Sequence, residues 1–209
     1  MYSANATRGK APRPTLIDHR ITNPKTLEAA KRIRVLLLDS DGVLNTGQVI
    51  EGIEGKPRLR NFVDGQGVSW LRAHGIRVAI LTNESGKSSN PAAQIVEKWN
   101  GLPSCMNGNW EPVKFFTDVG REEKVAAAED WIKELGVSWA ECAHMGDDVS
   151  DYDLLLKVGL PACPAQAEFF IKKICTFHAE RTGGNGAIRD LCNLILEAQN
   201  ADIRDLAIK

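Results

Sequence analysis

The chain has 209 residues, of which 43% are hydrophobic and 25% are charged, with a formal net charge of −1 at pH 7. This length and hydrophobic share suffice for a single domain with one sizeable core. The longest apolar runs are too short for a membrane-spanning helix. The small net charge excludes a general electrostatic attraction to nucleic acid or to an acidic membrane.

The five cysteines form no C-x-x-C pair, and their odd number is typical of reduced thiols rather than of a disulfide framework. We therefore expect a cytoplasmic protein. Composition also divides the chain, because residues 1–14 are rich in Ala, Asn, Arg, Lys and Pro without an apolar period. The predicted organisation is a flexible tail over residues 1–24, one domain over 25–200 and a C-terminal tail over 201–209, with a short helix at Thr26–Arg32.

The first predicted strand carries two acids at its end. Val35–Leu38 is too short and too apolar for a helix or a half-exposed strand, which favours a buried parallel strand. Asp39 and Asp41 follow it, and residues two apart in an extended chain point to the same side. Gly42 allows the backbone to turn away. Ligands bind at this edge of α/β sheets, although aspartates also commonly cap turns.

A β-hairpin is predicted after these acids, over about residues 47–63, with Gly55 in its turn. Arg58 and Arg60 share one face of it, and an exposed sheet edge is favoured slightly over a substrate contact. The Gly-containing run 64–67 is expected to interrupt the chain before a short helix that ends near Gly75.

The next predicted strands again end in polar residues. Arg77–Leu81 precedes Thr82, whose hydroxyl group can cap a turn or donate to a phosphate oxygen. The stretch 87–112 is rich in Pro, Gly and Asn around a short helix at Ala93–Trp99, and Lys114–Phe116 is a possible third strand.

Lys124 opens a helix whose apolar positions follow helical spacing until Gly136. A lysine is disfavoured at a helix N-terminus by the helix dipole. Its position there is explained if an anion lies nearby, and otherwise indicates a solvated lysine at a frayed end.

Three acids, Asp147, Asp148 and Asp151, follow the predicted strand Cys142–Met145 within five residues. They cannot all be buried without a cation or basic partners, and oxygen ligands beside a phosphate suit Mg²⁺. His144 lies within the apolar strand and is interpreted as a hydrogen-bonded core residue. The later elements are a helix at 152–158, a strand at 161–163, a helix at 167–174, a glycine-rich turn at 182–186 and a closing helix from Ile188.

Four motifs occur in the order expected of a known family. The chain resembles the haloacid dehalogenase superfamily of phosphohydrolases, whose motifs stand here as Asp39-Ser40-Asp41-Gly42-Val43, Thr82, Lys124 and Gly146-Asp147-Asp148-Val149-Ser150-Asp151. The resemblance extends from about Arg34 to Gln199. It implies an α/β fold, a three-layer parallel sheet of Rossmann type, with the short hairpin in place of a cap domain.

The chain also looks like the capless branch that dephosphorylates 2-keto-3-deoxy sugar acids. The runs that carry this likeness are 39–44, 64–67, 158–160 and 183–189. Substrates in that branch include 3-deoxy-manno-octulosonate 8-phosphate (Kdo 8-phosphate) and nonulosonate 9-phosphates such as those of Kdn and sialic acid. The resemblance further implies a homotetramer in which a neighbour's hairpin helps to close the site, with no nucleic-acid or membrane partner.

The resemblance assigns a role to each motif residue. Asp39 is the nucleophile that forms an aspartyl-phosphate, and Asp41 is the general acid and base. Mg²⁺ is bound by the side chains of Asp39 and Asp147 and by the backbone carbonyl group of Asp41. Thr82 and Lys124 hold the phosphate. The remaining two acids, Asp148 and Asp151, position Lys124 and the water shell of the metal.

The predicted substrate-binding residues are Gly65, Thr82, Asn83, Glu84 and Lys124. Glu84 occupies a position where Kdo 8-phosphate phosphatases typically have an arginine, and a glutamate there is a feature of the Kdn 9-phosphate relatives. Nonulosonates are therefore favoured modestly. The alternative is a catalytically weak assembly module like the C-terminal domain of CMP-sialic acid synthetase, but that module lacks the nucleophilic aspartate that is present here.

Overall fold

The computed structural model describes residues 12–18, 23–50, 52, 57–86 and 90–206. Within them, one parallel sheet is built from six strands, namely β1 (Val35–Asp39), β2 (Arg77–Leu81), β3 (Lys114–Phe116), β4 (Cys142–Met145), β5 (Leu160–Cys163) and β6 (Phe177–His178). Their order across the sheet is β3-β2-β1-β4-β5-β6. The α/β fold and the predicted bounds of β2, β3 and β4 are confirmed. Strand β6 was not predicted.

Helices cover both faces of this sheet. They are α1 (Pro24–Ala30), α2 (Phe62–Ala73), α3 (Pro91–Asn100), α4 (Pro103–Met106), α5 (Arg121–Glu134), α6 (Tyr152–Lys157), α7 (Phe169–Ile174) and α8 (Ala187–Ala198). Alternate residues of β1 belong to different cores: Leu36 and Leu38 pack with α2 and α8, whereas Val35 and Leu37 pack with α5. Burial on both faces explains why β1 is apolar throughout.

The predicted interruption at residues 64–67 is wrong, because α2 already begins at Phe62. The Asn61 side chain caps the helix by accepting a 3.1 Å hydrogen bond from the Val63 amide. Gly67 lies against α8, where an added Cβ would meet the Cys192 Sγ at 3.1 Å. The glycine thus permits close packing of two helices and does not mark a turn.

Asp64 explains why the start of α2 is fixed. It is 1% exposed, and its carboxylate accepts hydrogen bonds of 3.0 Å from the amides of Gly186 and Arg189 at the start of α8. A carboxylate beside amide donors at a helix N-terminus is stabilising. The first turn of α2 therefore holds the glycine-rich turn before α8 in place.

The predicted hairpin at 47–63 is not found in the described part of that segment. Residues 47–50 and 57–61 contain no strand, and a backbone bond of 3.0 Å from the Thr46 amide to the Leu59 carbonyl group joins the two sides. Pro57 has no amide to donate, and the chain enters α2 soon afterwards. The predicted turn, at Glu54-Gly55, lies outside the described residues.

The described ends of the chain pack on the domain. Arg13, in the predicted tail 1–24, donates bonds of 2.9 and 3.0 Å to Glu197 of α8. Near the other end Ala201 is 6% exposed, although a tail was predicted from residue 201. The ion pair with the buried Glu197 holds the N-terminal segment, and apolar packing in the core holds Ala201. The composition of these segments indicated neither contact.

Among the described residues, no helix combines the length and the apolar surface needed to cross a membrane.

Candidate active site

The sheet brings the predicted motif residues to one edge. Strand β1 lies between β2 and β4, with Asp39 paired in register with Leu81 and Leu38 paired with Met145. Thr82 therefore follows β2 at the level of Asp39, and the loop after β4 lies on the other side. The strand order reverses between β1 and β4, and such a crevice outside the carboxyl ends of parallel strands is where ligands bind in α/β sheets.

Lys124 connects two buried acids at this edge. Its Nζ atom donates a 2.5 Å bond to Asp39 and a 2.8 Å bond to Asp151. The lysine is 1% exposed and lies near the start of α5, whose first turn also contains Glu122 and Glu123. The anions near Lys124 are thus the two carboxylates of Asp39 and Asp151, and the lysine is not a solvated residue at a frayed helix end.

Burial and charge set the protonation of these groups. Burial and the neighbouring Asp151 raise the pKa of Asp39 well above its usual value, against the opposing effect of Lys124. Burial alone would lower the pKa of Lys124, but the carboxylates of Asp39 and Asp151 outweigh it and raise that pKa. The lysine is therefore a fixed positive charge beside Asp39.

His144 explains why Asp151 stays ionised in the core. Burial would raise the pKa of Asp151, but hydrogen bonding and charge from His144 and Lys124 lower it to about 2. The two ring nitrogens of His144 lie 3.1 Å from the Leu37 carbonyl oxygen and 3.2 Å from Asp151. The prediction of a hydrogen-bonded core histidine is confirmed. His144 contacts the same Asp151 carboxylate oxygen that accepts the hydrogen bond from Lys124.

Asp147 reaches back toward Asp39 over a glycine. Gly42 has a φ of +84°, and a Cβ there would collide with the Asp147 carboxylate, so only glycine fits. Burial, with the charges of Asp151 and Asp148, raises the pKa of Asp147 to about 7. A half-buried carboxylate crowded by other acids favours the binding of a cation among them.

The donor set fits Mg²⁺. Carboxylate oxygens of Asp39, Asp147 and Asp151 lie within 4.8 Å of one another, and hard oxygen ligands of this kind are those that Mg²⁺ takes. Both oxygens of Asp151 are already engaged, Oδ1 by Lys124 and His144 and Oδ2 by the Asp147 amide, so Asp39 and Asp147 are the side chains available to the ion. The exposed Asp148 caps the next turn through a 2.6 Å bond from the Val149 amide. Within the described structure it forms no ion pair with Lys124, so a role beside the water shell of the metal is the part of its predicted function that stays a prediction.

Arg58 is the site residue that sequence reasoning missed. Its side chain is only 9% exposed, with Nε 2.8 Å from Asp41 Oδ1 and Nη2 3.1 Å from Glu84 Oε1. The prediction of an exposed strand edge is wrong for this residue because two carboxylates at the cleft draw it inward. The Arg-x-Arg pattern was the available signal, but Arg60 instead lies 5.5 Å from the ring of Phe62.

The side chain of Gln166 joins the loop after β1 to the glycine-rich turn before α8. Its amide nitrogen donates a 2.7 Å bond to the Gly42 carbonyl oxygen, and its amide oxygen accepts a 2.8 Å bond from the Gly183 amide. A Cβ at Gly183 would collide with the Gly42 carbonyl group. The glycine-rich turn thus supports the Asp41 loop by close backbone approach.

These residues surround a cleft of about 480 Å³. The predicted site residues that line it are Asp39, Asp41, Thr82, Asn83, Glu84, Lys124, Asp147 and Asp148. Gly65 is not among them, because it lies inside α2 with Trp99 and Arg60 as its neighbours. A larger cleft of about 520 Å³, beside residues 15–18 and α8, contains none of the predicted site residues.

Comparisons with known proteins agree with this architecture, although no family model matches the chain. It is 29% identical over 178 residues to the 3-deoxy-D-manno-octulosonate 8-phosphate phosphatase KdsC of Salmonella typhimurium, covering 85% of this chain and 86% of the relative. A haloacid dehalogenase superfamily (subfamily III A) hydrolase from Legionella pneumophila is 32% identical, with a TM-score of 0.73 and coverage of 84% of this chain and 88% of that one.

A third relative contains ligands. The Moraxella catarrhalis 3-deoxy-D-manno-octulosonate 8-phosphate phosphatase, in complex with magnesium, phosphate and KDO, is 28% identical with a TM-score of 0.70, covering 84% of this chain and 92% of that one. Its magnesium ion agrees with the oxygen donors found here. The chain therefore belongs to the haloacid dehalogenase superfamily of phosphohydrolases, within the branch that includes the 3-deoxy-D-manno-octulosonate 8-phosphate phosphatases.

Proposed function

We propose that this protein hydrolyses the phosphate monoester of a 2-keto-3-deoxy sugar acid through an aspartyl-phosphate, with Mg²⁺ as its cofactor. The observation that carries the proposal is the Lys124 Nζ atom 2.5 Å from Asp39, at the base of an open cleft lined by Asp147 and Thr82. Phosphate esters repel anionic nucleophiles, so a carboxylate can attack only where fixed positive charge neutralises the encounter. The complete set of acids and lysine disfavours a catalytically weak assembly module.

Asp39 attacks phosphorus in this mechanism. Lys124 lies beside Asp39 and neutralises charge on the phosphoryl group, while Thr82 donates its hydroxyl group to a phosphoryl oxygen. Asp39, Asp147 and the Asp41 carbonyl group would hold the metal, which would supply further positive charge beside the phosphoryl oxygens. The bond from Asp39 to phosphorus forms as the bond to the sugar oxygen breaks.

Asp41 manages the proton in both steps. It gives its proton to the departing sugar oxygen, so that the sugar leaves as a neutral alcohol. The resulting carboxylate then takes a proton from water, whose oxygen bonds to phosphorus as the bond to Asp39 breaks. Phosphate and the original Asp39 and Asp41 are restored.

Two substrates are supported by different observations. Kdo 8-phosphate comes first, because the Salmonella relative and the Moraxella structure both bear the name of a phosphatase for it. Glu84 supports nonulosonate 9-phosphates, as predicted from the sequence. Because Glu84 is paired with Arg58, its negative charge is compensated beside an anionic substrate.

A substrate panel tests the proposal. We expect kcat/KM on Kdo 8-phosphate to exceed that on glucose 6-phosphate by at least about 100-fold, because differential contacts to the sugar acid act on the transition state. Kdn 9-phosphate and N-acetylneuraminate 9-phosphate are measured beside it by phosphate release. A higher value on either nonulosonate would select the Glu84-based candidate, and no preference for any sugar acid would refute the substrate class.

Metal removal should abolish turnover, and added Mg²⁺ should restore it. Because the pKa of Asp147 is raised to about 7, the metal must displace a proton below that pH, so Mg²⁺ affinity should rise with pH and level off above 7. Calorimetry in buffers of different ionisation enthalpy measures the protons released. Full activity in EDTA would contradict the metal assignment, and pH-independent affinity would contradict the ligand role of Asp147.

We also propose that the protein assembles into a homotetramer in which the 47–63 segment of a neighbour covers the cleft. The described part of this segment exposes four large apolar side chains, Val49, Ile50, Leu59 and Phe62. Exposed apolar surface of this kind marks interaction sites. Light scattering on the purified protein gives the mass, and a monomeric mass would exclude the assembly.

A further inference from the structure

Arg58 contacts two carboxylates, that of Asp41, the proposed general acid and base, and that of Glu84, a predicted substrate-binding residue. Its Nε donates to Asp41 Oδ1 at 2.8 Å, and its Nη2 donates to Glu84 Oε1 at 3.1 Å. The guanidinium group is nearly enclosed, whereas the Asp41 and Glu84 side chains are 36% and 37% exposed toward the cleft. The arginine therefore lies behind the two acids and is not the part of the site that faces the substrate.

The contacts distinguish the two oxygens of Asp41. Oδ1 accepts from Arg58 and also from the Asn45 side-chain amide at 3.2 Å. Within the described structure, no residue donates to Oδ2. Because Oδ1 already accepts two hydrogen bonds, Oδ2 is the oxygen of Asp41 that is left to face the leaving group.

We propose that Arg58 is a positioning residue that fixes Asp41 by Oδ1, so that Oδ2 exchanges the proton with the leaving oxygen and then with water. The inference rests on the proposed function and concerns only its acid and base step. In the first step the Oδ2 proton moves to the sugar oxygen as the bond between that oxygen and phosphorus breaks. In the second, Oδ2 accepts a proton from the attacking water.

Only an arginine suits this geometry. The guanidinium group is planar, always charged and carries several donors in a fixed fork, so it can bind both acids at once. A lysine offers a single nitrogen at the end of a flexible chain and cannot span Asp41 and Glu84 in the same way. The same fork neutralises Glu84, which would otherwise lie unpaired in a cleft that binds a dianion.

The leaving group provides the test. A sugar alkoxide needs the proton from Asp41, but p-nitrophenolate leaves without one, so misplacing Oδ2 should affect the two substrates unequally. We expect Arg58→Lys to lower kcat on the sugar-acid phosphate by about 100-fold, the scale of general acid catalysis. On p-nitrophenyl phosphate we expect the first-turnover burst of p-nitrophenolate, which reports the first step alone, to slow by less than about threefold, because nucleophilic attack is retained and this leaving group needs no proton.

Two further variants complete the experiment. Arg58→Ala should show the same selectivity for the leaving group, and guanidinium ion should partly rescue its turnover of the sugar-acid phosphate. Arg60→Gln is the matched control, since Arg60 contacts Phe62 and neither acid, and it should keep the wild-type ratio. Circular dichroism establishes that each variant is folded.

The outcomes separate the inference from the proposed function. Wild-type turnover of the sugar-acid phosphate tests the function itself. An equal loss in the first-step rate on both substrates in Arg58→Lys, or no loss on either, would overturn the positioning role while leaving the phosphatase intact. A selective loss on the sugar-acid phosphate that guanidinium reverses would establish it.

Discussion

Replacing Asp39 with asparagine should lower phosphatase turnover by at least about 10⁴-fold, because the amide cannot act as the nucleophile. The substitution keeps the size and shape of a side chain that is only 7% exposed. Steady-state phosphate release on the best substrate measures the loss. In the proposed second step water attacks phosphorus and not the carboxyl carbon of Asp39. Turnover of the wild-type protein in heavy-oxygen water should therefore place the label in phosphate and leave Asp39 unlabelled.

The same substitution should not unfold the protein. Burial and nearby carboxylates raise the pKa of Asp39, so its ionised form opposes folding as pH rises above the unfolded-state value of 3.8. The neutral amide removes that effect, and at pH 8 without metal the variant should melt no lower than the wild type. Asp153→Asn, in an exposed pair with Arg121, is the control and should remain active. Turnover near that of the wild type in Asp39→Asn would eliminate the nucleophile assignment.

The sequence alone was sufficient to predict the edge of the sheet where the acids meet. Each of β1, β2 and β4 is a short apolar run that stops at a polar residue, and hydrophobic pattern fixes such strands strongly. Local chain geometry alone explains the signals that marked this edge. They are the spacing of Asp39 and Asp41, the Thr82 hydroxyl group after a strand, and a lysine, Lys124, at the unfavourable end of a helix. These are properties that a sequence displays directly.

The support behind those residues could not be predicted. Arg58 reaches Asp41 and Glu84 only because tertiary packing brings a segment without regular structure over the cleft. Likewise, the glycines of 64–67 indicated a break, but contacts with α8 override the low helix propensity of Gly65 and Gly67. Helical spacing says nothing about either contact, because both join residues far apart in the chain.

Replacing Lys124 with methionine should reduce turnover by at least about 10³-fold, because one electrostatic contact at a phosphoryl-transfer site is worth this much. The methionine fills a similar volume but leaves Asp39 and Asp151 without their shared cation. Removing one partner of a buried ion pair typically costs about 3–5 kcal/mol of stability. Phosphate release and thermal melting measure the two effects separately.

The stability loss should depend on pH, and its sign identifies the cause. Without Lys124, the pKa of Asp151 rises above its folded value of about 2 in the wild type, so protonation can relieve the uncompensated charge. The folded variant then binds more protons than the folded wild type, so its deficit relative to the wild type should grow as pH rises from about 2 to the new pKa. Lys133→Met, a 68% exposed lysine of the same helix, should change neither property. A deficit in Lys124→Met that is constant between about pH 3 and 8 would mean that lost packing, rather than unpaired carboxylates, destabilises the variant, and that Lys124 does not neutralise the acids around the nucleophile.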